Sequence, residues 1–246
     1  MGPVMRFPVC AILVLAFGLS AVPPGVASED WASGAMAAAT VPRLYPALFG
    51  TREAFSPDNS AFFKWTGMLA RFAAEQRHSR GPCGLGMFEN CEPAEWRQLI
   101  GELRGLSLRE KIVRVNDAVN RHPYIPSMAN WGESNHWETP FEFFRKSGQC
   151  QDYAITKYML LRAAGVPAAQ LRLVVLRDTR LGLDHAVTVA YVDGTALLLD
   201  NQLAAVVPAD SVLHYQPYYS INEQGWWLHR GPNARYAGAA EGAQVE

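Results

Sequence analysis

A two-residue turn constrains this chain more than any other feature. Asp193-Gly194 lies between two apolar runs, His185 to Val192 and Thr195 to Asp200. An Asp-Gly pair so placed predicts a tight antiparallel hairpin. The turn sets the register: Val192 faces Thr195, and by extension Val187 faces Asp200. His185 stands two residues before Val187, so it shares a face with Asp200. As diagonal neighbours the two are within reach of a histidine–carboxylate hydrogen bond, and a slip of one residue would separate them. The plain alternative is an ion pair at a strand end. Asp184 competes by proximity in sequence, but adjacent strand residues point to opposite faces.

Upstream, Ser147 to Gly165 reads as a helix with Cys150 at its start, closed by Gly165 and then Pro167. Ala154, Tyr158 and Leu161 give it a buried face. A cysteine in the first helical turn sits near backbone N–H groups and the positive end of the helix dipole, and both favour a thiolate. The alternative is an inert buried cysteine. A third strand-like run, Leu171 to Arg177, separates this helix from the hairpin. Thiol, imidazole and carboxylate then form a nucleophile, base and orienter: Cys150, His185 and Asp200. The Cys150 backbone N–H supplies one oxyanion donor; sequence assigns no second.

The remaining segments frame this site. Residues 1–27 read as a signal peptide: Arg6, an apolar run from Val9 to Leu19, and the small residues Gly25-Val26-Ala27. Cleavage further on, or an uncleaved anchor, are the alternatives. Residues 28–43 form a flexible lead-in, 44–230 the folded domain, and 231–246 a disordered tail rich in Ala and Gly. Helices are expected at Ala61 to Gln76, Glu95 to Gly101, Ser107 to Arg121 and Phe141 to Lys146. Ser107 with Glu110 makes a capping box. The net charge of −1 provides no basic field for nucleic acid. Export makes a local disulfide between Cys83 and Cys91 plausible, two separate thiols being the alternative; if they pair, Cys150 is the thiol remaining in the mature chain. His136, beside Trp137, reads as a surface or packing residue. The aromatic group Tyr215, Tyr218, Tyr219, Trp226 and Trp227 reads as a core cap rather than a substrate wall. No repeat, phosphate loop or dinucleotide fingerprint is present.

Trp137-Glu138-Thr139-Pro140-Phe141-Glu142-Phe143, Gly148-Gln149-Cys150-Gln151-Asp152-Tyr153-Ala154, His185-Ala186-Val187, Leu199-Asp200-Asn201 and Tyr218-Tyr219-Ser220-Ile221-Asn222 together resemble the bacterial transglutaminase-like cysteine proteinases. The resemblance runs from about Leu44 to Trp227. It implies a papain/transglutaminase-like α+β fold, with the nucleophile helix packed on an antiparallel sheet, and a triad of Cys150, His185 and Asp200. It also implies a periplasmic protein and a protein substrate. In adhesin-cutting members that substrate is a large surface adhesin, and some members are restrained by an inner-membrane cyclic di-GMP receptor. The adhesin-cutting members carry calcium-binding acids on both sides of the nucleophile. Here the positions are Gln149 and Gln151, leaving Asp152 as a weak calcium candidate, so calcium is expected to bind weakly or not at all and no cofactor is required. Acyl transfer to an amine, or a non-catalytic binding domain on the same fold, are the rival functions.

Overall fold

The computed structural model describes residues 45–79 and 91–231. The signal peptide, the lead-in, Cys83 and nearly all of the tail lie outside these residues. Six α-helices are described: α1 (Phe63–His78), α2 (Ala94–Glu102), α3 (Leu108–Val119), α4 (Ser127–Trp131), α5 (Pro140–Lys146) and α6 (Cys150–Ala163). Seven strands accompany them: β1 (Arg52–Ser56), β2 (Leu171–Asp178), β3 (Leu183–Val192), β4 (Thr195–Leu199), β5 (Val207–Pro208), β6 (Tyr215–Asn222) and β7 (Gly225–Arg230). They form one antiparallel sheet in the order β1-β7-β6-β2-β3-β4-β5. The α+β expectation, with the Cys150 helix against the sheet, holds.

The hairpin has the register the turn dictates. Val192 pairs with Thr195 and Thr188 with Leu199. Both turn residues have positive φ, 49° at Asp193 and 78° at Gly194, the conformation that matches strand twist across a two-residue connection.

Strand alternation divides the core between the two faces of the sheet. Leu171, Leu173, Val175, Ala186, Ala190 and Leu199 join the helices in the larger cluster. Val174, Leu176, Val187, Val189, Tyr191 and Leu198 join Leu48, Val212 and Tyr215 in a smaller one on the opposite face.

Helix α6 is the pivot of the larger core. It is buried on nearly all sides, not on the single face its apolar spacing suggested, and even Lys157 is fully enclosed. It ends in a paired cap: Val166 N–H donates to Leu161 O and Gly165 N–H to Arg162 O, each at 3.0 Å. Helix α3 starts with the expected box, Ser107 N–H to Glu110 Oε2 at 2.8 Å and Glu110 N–H to Ser107 Oγ at 3.4 Å. Helix α5 has a second one, unforeseen, built on Thr139 and Glu142 with Pro140 at the first helical position.

Candidate active site

His185 and Asp200 meet as the hairpin requires. His185 Nε2 lies 2.9 Å from Asp200 Oδ1, and both side chains are fully buried. A buried carboxylate is costly unless its oxygens are satisfied. Here Oδ1 also accepts the Gln202 backbone N–H at 2.8 Å, and Oδ2 accepts the Tyr215 hydroxyl at 2.6 Å. Burial pushes the Asp200 carboxyl up, but the His185 charge and these hydrogen bonds outweigh it and bring its pKa to about 2. Burial, then the Asp200 charge, raises Tyr215 far above an ordinary phenol, so it remains a donor.

An ionised Asp200 accepts a hydrogen bond from His185 Nε2–H, which leaves Nδ1 of the neutral ring with its lone pair. The Gln202 side-chain nitrogen stands 3.4 Å from that Nδ1. The imidazole therefore has the tautomer a general base needs. Its ring lies edge-on to Tyr215 with centroids 5.8 Å apart.

Cys150 opens α6 and is almost fully buried in the larger core. Helix α6 is tied to β3 by the Thr188 hydroxyl, which donates to Ala154 O at 2.6 Å, three residues along from His185. Cys91 and Cys150 are each engaged in a disulfide, and no described cysteine is a free thiol. The expectation that Cys150 is the thiol remaining after a Cys83–Cys91 pairing is thus not met here; that pairing itself involves Cys83, outside the described residues.

The turn before Cys150 is held by carboxylates. Asp152 accepts Glu138 N–H on Oδ1 and Gln149 N–H on Oδ2, each at 2.9 Å. Glu138 Oε1 accepts from Trp131 Nε1 at 2.6 Å and Asn130 Nδ2 at 3.2 Å, while Oε2 is buried without a hydrogen-bond partner among the described residues. The two carboxyl groups crowd Gly148. A Cβ there would fall 2.6 Å from Asp152 Cβ and 2.8 Å from Glu138 Oε2. Burial first, then the charge of Glu138, raises Asp152; burial raises Glu138 to about 7. The pair is best satisfied holding one proton between them.

The candidate calcium donors do not fit a metal. Gln149 Oε1 accepts the Ser127 N–H at 3.2 Å, Gln151 Nε2 donates to His136 O at 3.0 Å, and both Asp152 oxygens are engaged by backbone. Among the described residues no cluster of three or more His, Cys, Asp or Glu could hold an ion. His136 stacks on Trp131 with centroids 4.3 Å apart and pairs with Glu133 and Glu142, a packing role.

The family model for bacterial transglutaminase-like cysteine proteinases matches residues 87–232. The chain belongs to that family. Its members are cysteine proteinases, and this chain carries their sequence from before α2 to the end of β7. Solved structures of LapG from Legionella pneumophila are similar to it. One is 26% identical, covering 69% of this chain and 93% of LapG, with a TM-score of 0.53. The calcium-bound form is 28% identical over 64% of this chain and 87% of LapG, with a TM-score of 0.52. The EGTA-treated form is 27% identical, with 66% and 87% coverage and a TM-score of 0.53. No curated protein matches the chain.

Sequence reasoning missed Gln202, Tyr215 and Glu138 as parts of this site. Gln202 had a signal, since an Asp commonly accepts from the N–H two residues on. Tyr215 and Glu138 arrive through tertiary packing and had none.

Proposed function

We propose that this chain is a cysteine endopeptidase of the periplasm, with Cys150 as nucleophile, His185 as base and Asp200 as orienter. The observation that carries the reading is the buried His185–Asp200 pair, which leaves Nδ1 as the basic edge in a chain of this family. The chemistry begins from reduced Cys150. His185 Nδ1 takes the thiol proton, and sulfur bonds to the substrate carbonyl carbon. The carbon–nitrogen bond breaks as the imidazolium returns that proton to the leaving amine. Water, deprotonated by His185, then attacks the thioester. The carbon–sulfur bond breaks, the thiol regains a proton and a carboxylic acid is released.

The family supports a protein substrate, with a large surface adhesin as the candidate and an inner-membrane cyclic di-GMP receptor as the candidate restraint. Residues 1–27 serve as the export signal, and 44–230 as the working domain. No helix among the described residues is long and apolar enough to cross a membrane. The amides at 149 and 151, with their oxygen and nitrogen already bonded, support weak or no calcium binding; micromolar binding by calorimetry would reverse that.

The test is alkylation of reduced protein by iodoacetamide across pH. Cys150 should react with an inflection well below the ordinary thiol value of about 8.5, and His185→Ala should return it toward that value. An unactivated thiol in the parent, unchanged by the substitution, refutes the catalytic reading and leaves a binding domain. A labelled amine added with a cleavable protein separates hydrolysis from acyl transfer, since both pass through the same thioester.

A further inference from the structure

An acyl-transfer site needs two donors around the developing oxyanion, and the Cys150 backbone N–H is one. Three contacts press the segment after α3 against the start of α6. Ile125 N–H donates to Gly148 O at 2.9 Å, Tyr153 Oη donates to His122 O, and the rings of Tyr124 and Tyr153 stack with centroids 6.4 Å apart. These contacts hold the Tyr124 ring beside the nucleophile's turn. The Tyr124 hydroxyl lies close to the Cys150 backbone N–H. That hydroxyl is nonetheless buried without a hydrogen-bond partner among the described residues. An orphaned buried hydroxyl costs stability, and its position beside a reacting atom calls for a function.

We propose that Tyr124 is a catalytic residue, its hydroxyl being the second oxyanion donor alongside the Cys150 amide. The proposal rests on Cys150 being the nucleophile. A carbonyl oxygen settling between the two groups receives N–H from Cys150 and O–H from Tyr124, and the hydroxyl then gains the partner it lacks at rest. Burial, and next the charge of Asp152, keep the phenol protonated at any working pH. The stacked ring fixes the donor's direction before substrate arrives, which is the preorganisation such stabilisation depends on.

The experiment compares two reactions of reduced Cys150. Acylation by p-nitrophenyl acetate passes through a tetrahedral oxyanion; alkylation by iodoacetamide does not. Tyr124→Phe should slow Cys150 acylation about 10²-fold, in the range for loss of one oxyanion donor. Its alkylation rate and pH profile should match the parent within twofold. Its melting temperature should be unchanged or raised, because no hydrogen bond is lost. Acylation within threefold of the parent overturns the proposal. So does an equal fall in both reactions, or a large loss of stability, either of which makes the hydroxyl structural. If the parent shows no acylation above Cys150→Ala, the nucleophile assignment fails and Tyr124 falls with it. Normal parent acylation with an indifferent Tyr124→Phe sinks the oxyanion role alone.

Discussion

Lys157 offers a direct measure of what helix α6 costs to bury. Its side chain is fully enclosed, and Nζ donates to Asn116 Oδ1 at 2.9 Å. Burial lowers its pKa from 10.5 to about 7, against the opposing pull of the Asp200 and Asp117 charges. Between these values the unfolded chain holds a proton that the folded chain does not. Unfolding therefore takes up a proton, and stability rises with pH across the window at about 1.4 kcal/mol per unit. The full span is worth roughly 5 kcal/mol, present above the unfolded value and lost as pH falls through about 7. Lys157→Met removes the titration. It also strips Asn116 Oδ1 of its donor, a pH-independent cost of about 1–3 kcal/mol. The variant should therefore gain on the parent at low pH and fall behind at high pH, so that the two curves cross. Urea unfolding of both proteins in one redox state, at steps between about pH 7.5 and 9.5, reads the difference in slope. That range stops short of the tyrosine region, where Tyr124, Tyr153 and Tyr191, all raised by burial, contribute the opposite slope. The difference should accumulate to about 2–3 kcal/mol over the range. Parallel curves would refute the reasoning, because they would mean Lys157 keeps its proton inside the fold.

Three further substitutions test the frame around the site. Gly148→Ala drives a methyl into Asp152 and Glu138 and should cost about 1–3 kcal/mol by urea midpoint while slowing Cys150 alkylation. Ser107→Ala breaks the α3 capping box far from the chemistry and should cost about 1 kcal/mol with alkylation unchanged. Tyr215→Phe removes a donor from Asp200 and raises that carboxyl from about 2 toward its unfolded 3.8. A depressed carboxyl stabilises above its unfolded value and loses that stability as pH falls through the folded one, so the variant's acid unfolding should move to higher pH. An acid transition that coincides with the parent's would exclude the Tyr215 bond as a source of that stability.

What the sequence disclosed was local. An Asp-Gly turn settles a register by counting, and His185 and Asp200 follow from it because strand alternation has a period of two. Ser107 and Glu110 announce a helix start at a separation of three residues. Strands β1, β6 and β7 were not legible for equally physical reasons. β6 reads Tyr-Gln-Pro-Tyr-Tyr-Ser-Ile-Asn, and Pro217 speaks against a strand between two neighbours. The structure accommodates it where the β2–β6 register shifts, between Val175 and Leu176, with Leu176 pairing to Pro217. The short β1 starts with the charged pair Arg52-Glu53, and acquires its role only by lying along β7. The site divides the same way. The three groups proposed to react sit in motifs that can be read in place. The groups that tune them, Tyr215 on Asp200 and Glu138 against Asp152, lie 15 and 14 residues from those partners and belong to other elements. Reactivity is a property of a side chain and a short motif, whereas its tuning is a property of packing. Substitutions at the tuning positions should therefore change pH dependence and rate while leaving the covalent chemistry of Cys150 intact.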